Sequence, residues 1–197
     1  MTLCAEIKAK ITGRLAIKDH EAEHIEKLLK DLSGAHVEIG TLWGGTAILA
    51  ALAKAGDVYT VDFMRGGYWN DGDPDAGYKV PTEAAIRDNL KRFRVEDRVT
   101  VIKAASDPLP IPEGVKPETA LIDGGHEYEP CLKDWNNLKE ITKKYIMFHD
   151  YGAPTCPGVT RVVNEVVKND KHWKLKEVVE TLAVFERVPD VVKKRAK

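Results

Sequence analysis

The chain has 197 residues, 43% hydrophobic and 31% charged, and its 30 Lys+Arg against 31 Asp+Glu leave a formal net charge of -1. That length suits one domain with a substantial core, and the composition excludes global disorder and the strongly basic surface of a dedicated nucleic-acid binder. No apolar run approaches the roughly 18 residues of a membrane helix, the opening MTLCAEIKAKITGR lacks an apolar leader, and Cys4, Cys131 and Cys156 are too scattered for a disulfide framework or a structural zinc site, so a cytoplasmic protein without membrane or nucleic-acid partners is expected.

Two helical pieces open the chain, and residues 1–33 are expected to form an N-terminal helical cover. The clearer piece runs from Asp19 to Leu32. Ala22, Ile25, Leu28, Leu29 and Leu32 recur at helical spacing, Glu21 and Glu23 are acids in the first turn, and Ser33-Gly34 is a stop. Short β-branched or aliphatic runs bounded by Gly, Asp or Pro then mark strands at His36 to Ile39, Val58 to Val61, Val99 to Lys103, Thr119 to Ile122 and Tyr145 to Phe148. Helical stretches alternate with them at Thr46 to Lys54, Thr82 to Arg92, Glu129 to Thr142 and Val159 to Lys168. This alternation implies an α/β three-layer sandwich, a parallel sheet between helices. Trp173 to Val179 and Leu182 to Val188 are separated only by Glu180 and Thr181. So short a link joins only antiparallel strands, and a seven-stranded, mostly parallel sheet should finish in an antiparallel hairpin.

The polar stretch from Arg65 to Pro81 interrupts this order and carries Tyr68, Trp69 and Tyr78 among Gly, Pro and Asp. It is either a mobile surface loop or a substrate lid, since aromatic side chains in a polar loop need an apolar surface to cover. Asp71, Asp73 and Asp75 mimic the start of a calcium loop, but Pro74 lies inside it, Ala76 stands where Gly is needed, and Thr82 stands where the closing Glu belongs.

Val37-Glu38-Ile39-Gly40-Thr41-Leu42-Trp43-Gly44-Gly45-Thr46 reads as a strand running through a glycine turn into a helix, which lets backbone approach a ligand at the carboxyl end of the sheet. Leu42 occupies the place of the second glycine of a dinucleotide G-x-G-x-x-G, and no Gly-Lys-Ser/Thr follows as in a Walker loop. Asp62 ends the second strand 22 positions after Gly40. A carboxylate there can accept both hydroxyls of an adenosine ribose, or can simply make a turn. The E-x-G-x-x-x-G pattern with Asp62 resembles the class I S-adenosylmethionine-dependent methyltransferases, a Rossmann-like family whose parallel sheet also ends in a hairpin, over roughly Asp19 to Val188. The resemblance implies that Glu38, Gly40, Thr41, Gly44, Gly45 and Thr46 hold the methionine part of the cofactor and that Asp62 is the ribose acid. It also implies an adenine contact by Ala105, Ser106 and Asp107, which local sequence equally reads as a turn, and places Asp123 beside the cofactor. Trp43 lies against either the cofactor or an N-terminal helix.

The fourth and fifth strands run into Asp123-Gly124-Gly125-His126-Glu127-Tyr128-Glu129 and His149-Asp150-Tyr151. Adjacent parallel strands would bring Asp123, His149 and Asp150 to one rim, an O and N ligand set that suits Mg²⁺ or Mn²⁺. Alternatively Asp123 caps a turn while His149 and Asp150 pair with helix ends. The I-D-G-G-H-x-Y-E run followed by H-D-Y is similar to macrolide sugar O-methyltransferases, cephalosporin-hydroxylase-like proteins and catechol O-methyltransferase. That resemblance implies a divalent ion at Asp123, His149 and Asp150. The catechol enzyme has Asp then Asn at the pair and the sugar enzymes two acids, so His149 departs from both. His126 falls where the catechol enzyme carries a basic Lys. A neutral imidazole can take a hydroxyl proton near neutral pH, so His126 is the expected general base, or else a cap of the next helix. Glu127, Glu129, Lys133 and Asp134 read as the solvated start of that helix, His20, His24 and His172 as surface residues, and Trp135 as core.

The expected function is therefore S-adenosylmethionine-dependent O-methyl transfer to a small hydroxylated acceptor, aromatic or sugar-bearing, with a divalent metal. The rivals are a metal-dependent hydrolase or hydroxylase-like enzyme on the same fold, which needs more His ligands than this neighbourhood offers, and a non-catalytic cofactor-binding module. A homodimer through the N-terminal amphipathic helices is a further expectation.

Overall fold

The apolar runs of the sequence become β1 (His36–Ile39), β2 (Val58–Asp62), β3 (Val99–Lys103), β4 (Thr119–Ile122), β5 (Tyr145–Phe148), β6 (Trp173–Val179) and β7 (Leu182–Arg187) in a computed structural model that describes residues 2–53, 56–64 and 81–189. They form one sheet in the order β3-β2-β1-β4-β5-β7-β6. The first five pair in parallel, and β7 runs antiparallel to both β5 and β6. Of the lid expected at residues 65–81, all but Pro81, including Tyr68, Trp69 and Tyr78, lies outside the described residues.

Strands β1, β4 and β5 are buried at every position, so both sheet faces need cover. On one face α1 (Leu3–Lys10), α2 (Asp19–Leu29), α3 (Gly45–Ala53) and α4 (Glu83–Arg92) bring Ile7, Leu29, Ile48 and Leu90 onto Val58, Leu121 and Met147. On the other, α5 (Tyr128–Lys139) and α6 (Pro157–Glu165) set Trp135, Leu138 and Val162 against Ile122, Phe148 and Phe185. The Trp135 ring lies 5.9 Å from Phe148 and 5.7 Å from Trp173, edge to face with the latter. The helices change face because right-handed crossovers from β1 run outward to β2 and β3, while β4 starts again on the opposite side of β1.

Helix ends depart from the periodicity by a few residues where local capping decides. The Thr82 side chain accepts the Ala85 amide at 3.2 Å, so Thr82 caps α4 and lies outside it. The run expected from Val159 to Lys168 starts earlier, because Pro157 fits a first helical turn, and breaks into a 3-10 turn at Val167–Asn169. Among the described residues no helix is long and apolar enough to cross a membrane.

Register sets the site. Ile39 pairs with Val61 on β2 and with Ile122 on β4, and Ile122 pairs with Phe148 on β5. The next residue on each strand therefore falls in one row along the carboxyl rim: Asp62, Gly40, Asp123 and His149.

Candidate active site

A cleft of about 1210 Å³ runs along this rim at the β1/β4 junction, where the connections leave in opposite directions. Gly40 makes the row possible. Its φ is +99°, and a Cβ there would lie 2.0 Å from the Asp123 carbonyl oxygen, so only glycine can bring the first loop this close to β4. Asp62 holds that loop. Its Oδ2 accepts the amides of Thr41 at 2.8 Å and Leu42 at 3.3 Å, and its Oδ1 accepts that of Met64 at 2.6 Å. A carboxylate has about four acceptor positions, so backbone occupies most of them and roughly one faces a ligand.

Gly40, Thr41, Gly45, Thr46, Asp62, Ser106 and Asp123 all line the cleft. Glu38 lies beneath the loop, fully buried, where Oε1 accepts the Thr60 hydroxyl at 2.7 Å. Burial pushes its carboxyl up to about 8, against the hydroxyls of Thr60 and Thr46. Gly44, at φ +78°, does not line the cleft, and a Cβ on it would meet Ile86 at 3.2 Å. The Trp43 ring packs over Gly13, in the extended segment between α1 and α2 and not against a helix, and its carbonyl accepts from Asn89 at 3.0 Å. Asp107 faces outward to Lys133 at 3.4 Å. Ser106 turns inward and donates to Asp134 Oδ1 at 2.5 Å. Asp134 is thus not solvated: it is 2% exposed, lines the cleft, and burial raises its carboxyl to about 6 despite the Ser106 bond. His24, expected at the surface, has a side chain only 13% exposed beside Glu177.

At the other end of the row, Asp123, His149 and Asp150 present ligand atoms that all lie within 4.8 Å of one another. His149 Nδ1 is 3.0 Å from Asp123 Oδ1 and 3.5 Å from Asp150 Oδ2. Its Nε2 is 3.2 Å from Oε2 of Glu21, a buried residue of α2. Burial opposes the His149 charge, but Asp123, Asp150 and Glu21 together outweigh it, so in the absence of an ion the ring is held as imidazolium. Burial likewise works against the Glu21 carboxylate, yet bonds from His149, Thr181 and Lys18 keep it well below the ordinary range. Asp150, at φ +60°, turns its carboxylate back so that Oδ2 also lies 3.3 Å from His126 Nε2. His126 and Asp150 both line the cleft.

The residues fit the two groups that the fold implies. For the cofactor there is a loop whose Gly40, Thr41, Gly45 and Thr46 line the cleft, with the Asp62 carboxylate beside it. For a divalent ion there are two carboxylates and a ring nitrogen spaced at 3.0 and 3.5 Å, close to the roughly 3 Å between neighbouring ligands of an octahedral ion bound at about 2.1 Å. The second ring nitrogen rests on a carboxylate, as ligating histidines usually do. Glu21 and Asp134 escaped the sequence pattern because acids near the start of an amphipathic helix ordinarily face water. Only contacts across 128 and 28 positions mark them out.

The methyltransferase-domain family model matches residues 37–151, more than half of the chain. The chain belongs to that family, as a class I S-adenosylmethionine-dependent methyltransferase. Among solved structures it resembles the O-methyltransferase TomG from Streptomyces achromogenes, in complex with S-adenosylmethionine, at TM-score 0.66 and 14% identity over 90% of this chain and 83% of that one. It also resembles an O-methyltransferase from Bacillus cereus in complex with S-adenosylhomocysteine, at TM-score 0.66 and 16% identity over 94% and 90%. These likenesses show the fold. An uncharacterized protein of Acanthamoeba polyphaga mimivirus is 24% identical over 166 residues, 82% of this chain and 72% of its own length.

Proposed function

We propose that the protein transfers a methyl group to the hydroxyl of a small acceptor, with Asp123, His149 and Asp150 holding a divalent ion such as Mg²⁺ or Mn²⁺ and His126 taking the hydroxyl proton. The observation that carries this reading is the convergence of these four side chains in the same cleft as the glycine loop and Asp62. Bound there, S-adenosylmethionine would supply an electrophilic methyl for in-line displacement. A divalent ion would bind the acceptor oxygen and lower its pKa. The chain's own groups do the rest. Gly40, Thr41, Gly45 and Thr46 bring backbone to the donor, and Asp62 fixes that loop. His126 Nε2 lies 3.3 Å from Asp150 Oδ2, which orients the ring in the cleft for its role as proton acceptor.

At about 1210 Å³ the cleft exceeds the 300–1,000 Å³ typical of one ligand site, which supports a donor and a small acceptor side by side. Arg14 to Lys18 of the N-terminal segment form part of its wall. The three cysteines are buried and unpaired, which supports a reducing compartment such as the cytoplasm.

Calorimetry with S-adenosylmethionine, followed by assay of a panel of catechols, phenols and sugars with and without Mg²⁺ or Mn²⁺, tests the reading. Donor binding and metal-stimulated methylation of a hydroxyl are expected; donor binding with no methyl loss to any acceptor would overturn it. His126→Ala should lower turnover by roughly 10²–10⁴-fold with donor affinity unchanged, and undiminished turnover would remove His126 as the base.

A further inference from the structure

Glu21 occupies the first turn of α2, where an acid normally needs only solvent and the helix dipole, yet it is 0% exposed and every bond it makes is to a donor. Oε1 accepts the backbone amide of Thr181 at 2.7 Å and its hydroxyl at 2.6 Å, in the turn between β6 and β7. Oε2 accepts the Lys18 amide at 3.0 Å and faces His149 Nε2 at 3.2 Å. The carboxylate is therefore locked from the hairpin side and from its own helix, and the direction it offers to His149 is fixed. A carboxylate can only accept, so the ring nitrogen that faces it carries the hydrogen. Nδ1 faces the carboxylates of Asp123 and Asp150, so without an ion it carries a hydrogen as well; only when an ion displaces that hydrogen to solvent does the ring become neutral and Nδ1 offer its lone pair. With that hydrogen displaced, Nδ1 and the carboxylates of Asp123 and Asp150 are three electron-pair donors converging on a point that suits a cation.

We propose that Glu21 is the positioning residue of this corner. It holds the His149 ring with Nε2 protonated, so that Nδ1 serves as a metal ligand beside Asp123 and Asp150. The proposal builds on the metal-assisted reading above and adds a residue from the N-terminal helix to it. An isosteric amide at position 21 cannot reproduce the arrangement. Gln must turn either its NH₂ toward His149 Nε2 and the Lys18 amide, or toward the two Thr181 donors. In the first case it stabilises the wrong tautomer, with the hydrogen on Nδ1; in the second it sets donor against donor and releases the hairpin contact.

Two measurements on the full-length protein test this. Long-range ¹H–¹⁵N NMR of the His149 ring should show both nitrogens protonated in the ion-free wild type and, with Mg²⁺ bound, Nε2 still protonated and pyrrole-type while Nδ1 has lost its hydrogen. A pyridine-type Nε2 would overturn the assignment, and because this needs no variant it decides even where a variant fails to fold. Calorimetric titration with Mn²⁺ should show Glu21→Gln binding the ion at least about tenfold more weakly than wild type, with S-adenosylmethionine affinity within twofold. A folded Glu21→Gln with wild-type Mn²⁺ affinity would overturn the positioning role while leaving the metal site standing. Wild-type protein that binds no ion would overturn the metal-ligand role of Nδ1, and the metal-assisted reading with it, whatever the NMR result.

Discussion

Glu38 and Glu21 are both wholly buried, and their surroundings drive them in opposite directions. Glu21 is met by four donors and stays charged, whereas Glu38 has hydroxyls and apolar strand for company and is pushed up to about 8 from an ordinary 4.5. The folded state thus binds the Glu38 proton more tightly than the unfolded chain does. Its contribution to stability is fully present below pH 4.5 and drains away as pH rises toward 8. Glu38→Gln, neutral at every pH, should flatten that part of the profile: melting temperatures of wild type and variant measured from pH 5 to 9 are expected to diverge in favour of the variant at the alkaline end. Site residues at strand ends, such as Asp123, His149 and Asp150, were legible because the sheet's period places them on one rim. The depth of Glu38 below the loop was not, since a strand acid next to a glycine turn looks the same whether it faces ligand or core. The partnership of Glu21 with His149 was equally hidden, because nothing in the spacing of an amphipathic helix names a partner 128 positions away.

Among the elements, strands were read nearly to the residue and helices less well. Doubly covered strands are continuous apolar runs between Gly, Asp and Pro, so composition itself delimits them. Helix ends depend on local first-turn chemistry, a side-chain cap at Thr82 and a proline in the first turn at Pro157. The least legible element was the extended segment from Ile11 to Lys18, which carries no periodicity and is placed wholly by contacts. Buried Asn89 of α4 donates to the carbonyls of Thr12 and Trp43 at 2.9 and 3.0 Å and accepts the Thr12 amide at 2.9 Å. Arg92 reinforces it through the Lys10 carbonyl and the Thr12 hydroxyl. One amide side chain thus joins the N-terminal segment to the glycine loop. Asn89→Leu leaves three backbone groups without that partner, each worth about 1–3 kcal/mol if buried and unsatisfied. A loss on the order of 3 kcal/mol in urea unfolding, with the slope unchanged, and weaker S-adenosylmethionine binding through Trp43 are expected.

For the molecule as a whole, 197 residues are mostly consumed by a seven-stranded sheet and its two helical layers. The walls of the cleft come from loop ends and the N-terminal segment, with no additional domain among the described residues. The row Asp62, Gly40, Asp123 and His149 has a mechanical consequence. Gly40 lies so close to the Asp123 carbonyl that the glycine loop after β1 and the carboxylate corner after β4 meet in a direct backbone contact. A ligand that spreads the first loop presses on the acid at the head of the second, so the proposed cofactor and ion sites are expected to be coupled, each changing the affinity of the other by the same factor. Gly40→Ala, strained at φ +99° and crowded against that carbonyl, should weaken S-adenosylmethionine and Mn²⁺ together in paired calorimetric titrations, whereas Asp62→Asn, one strand further from the acid, should weaken the donor alone.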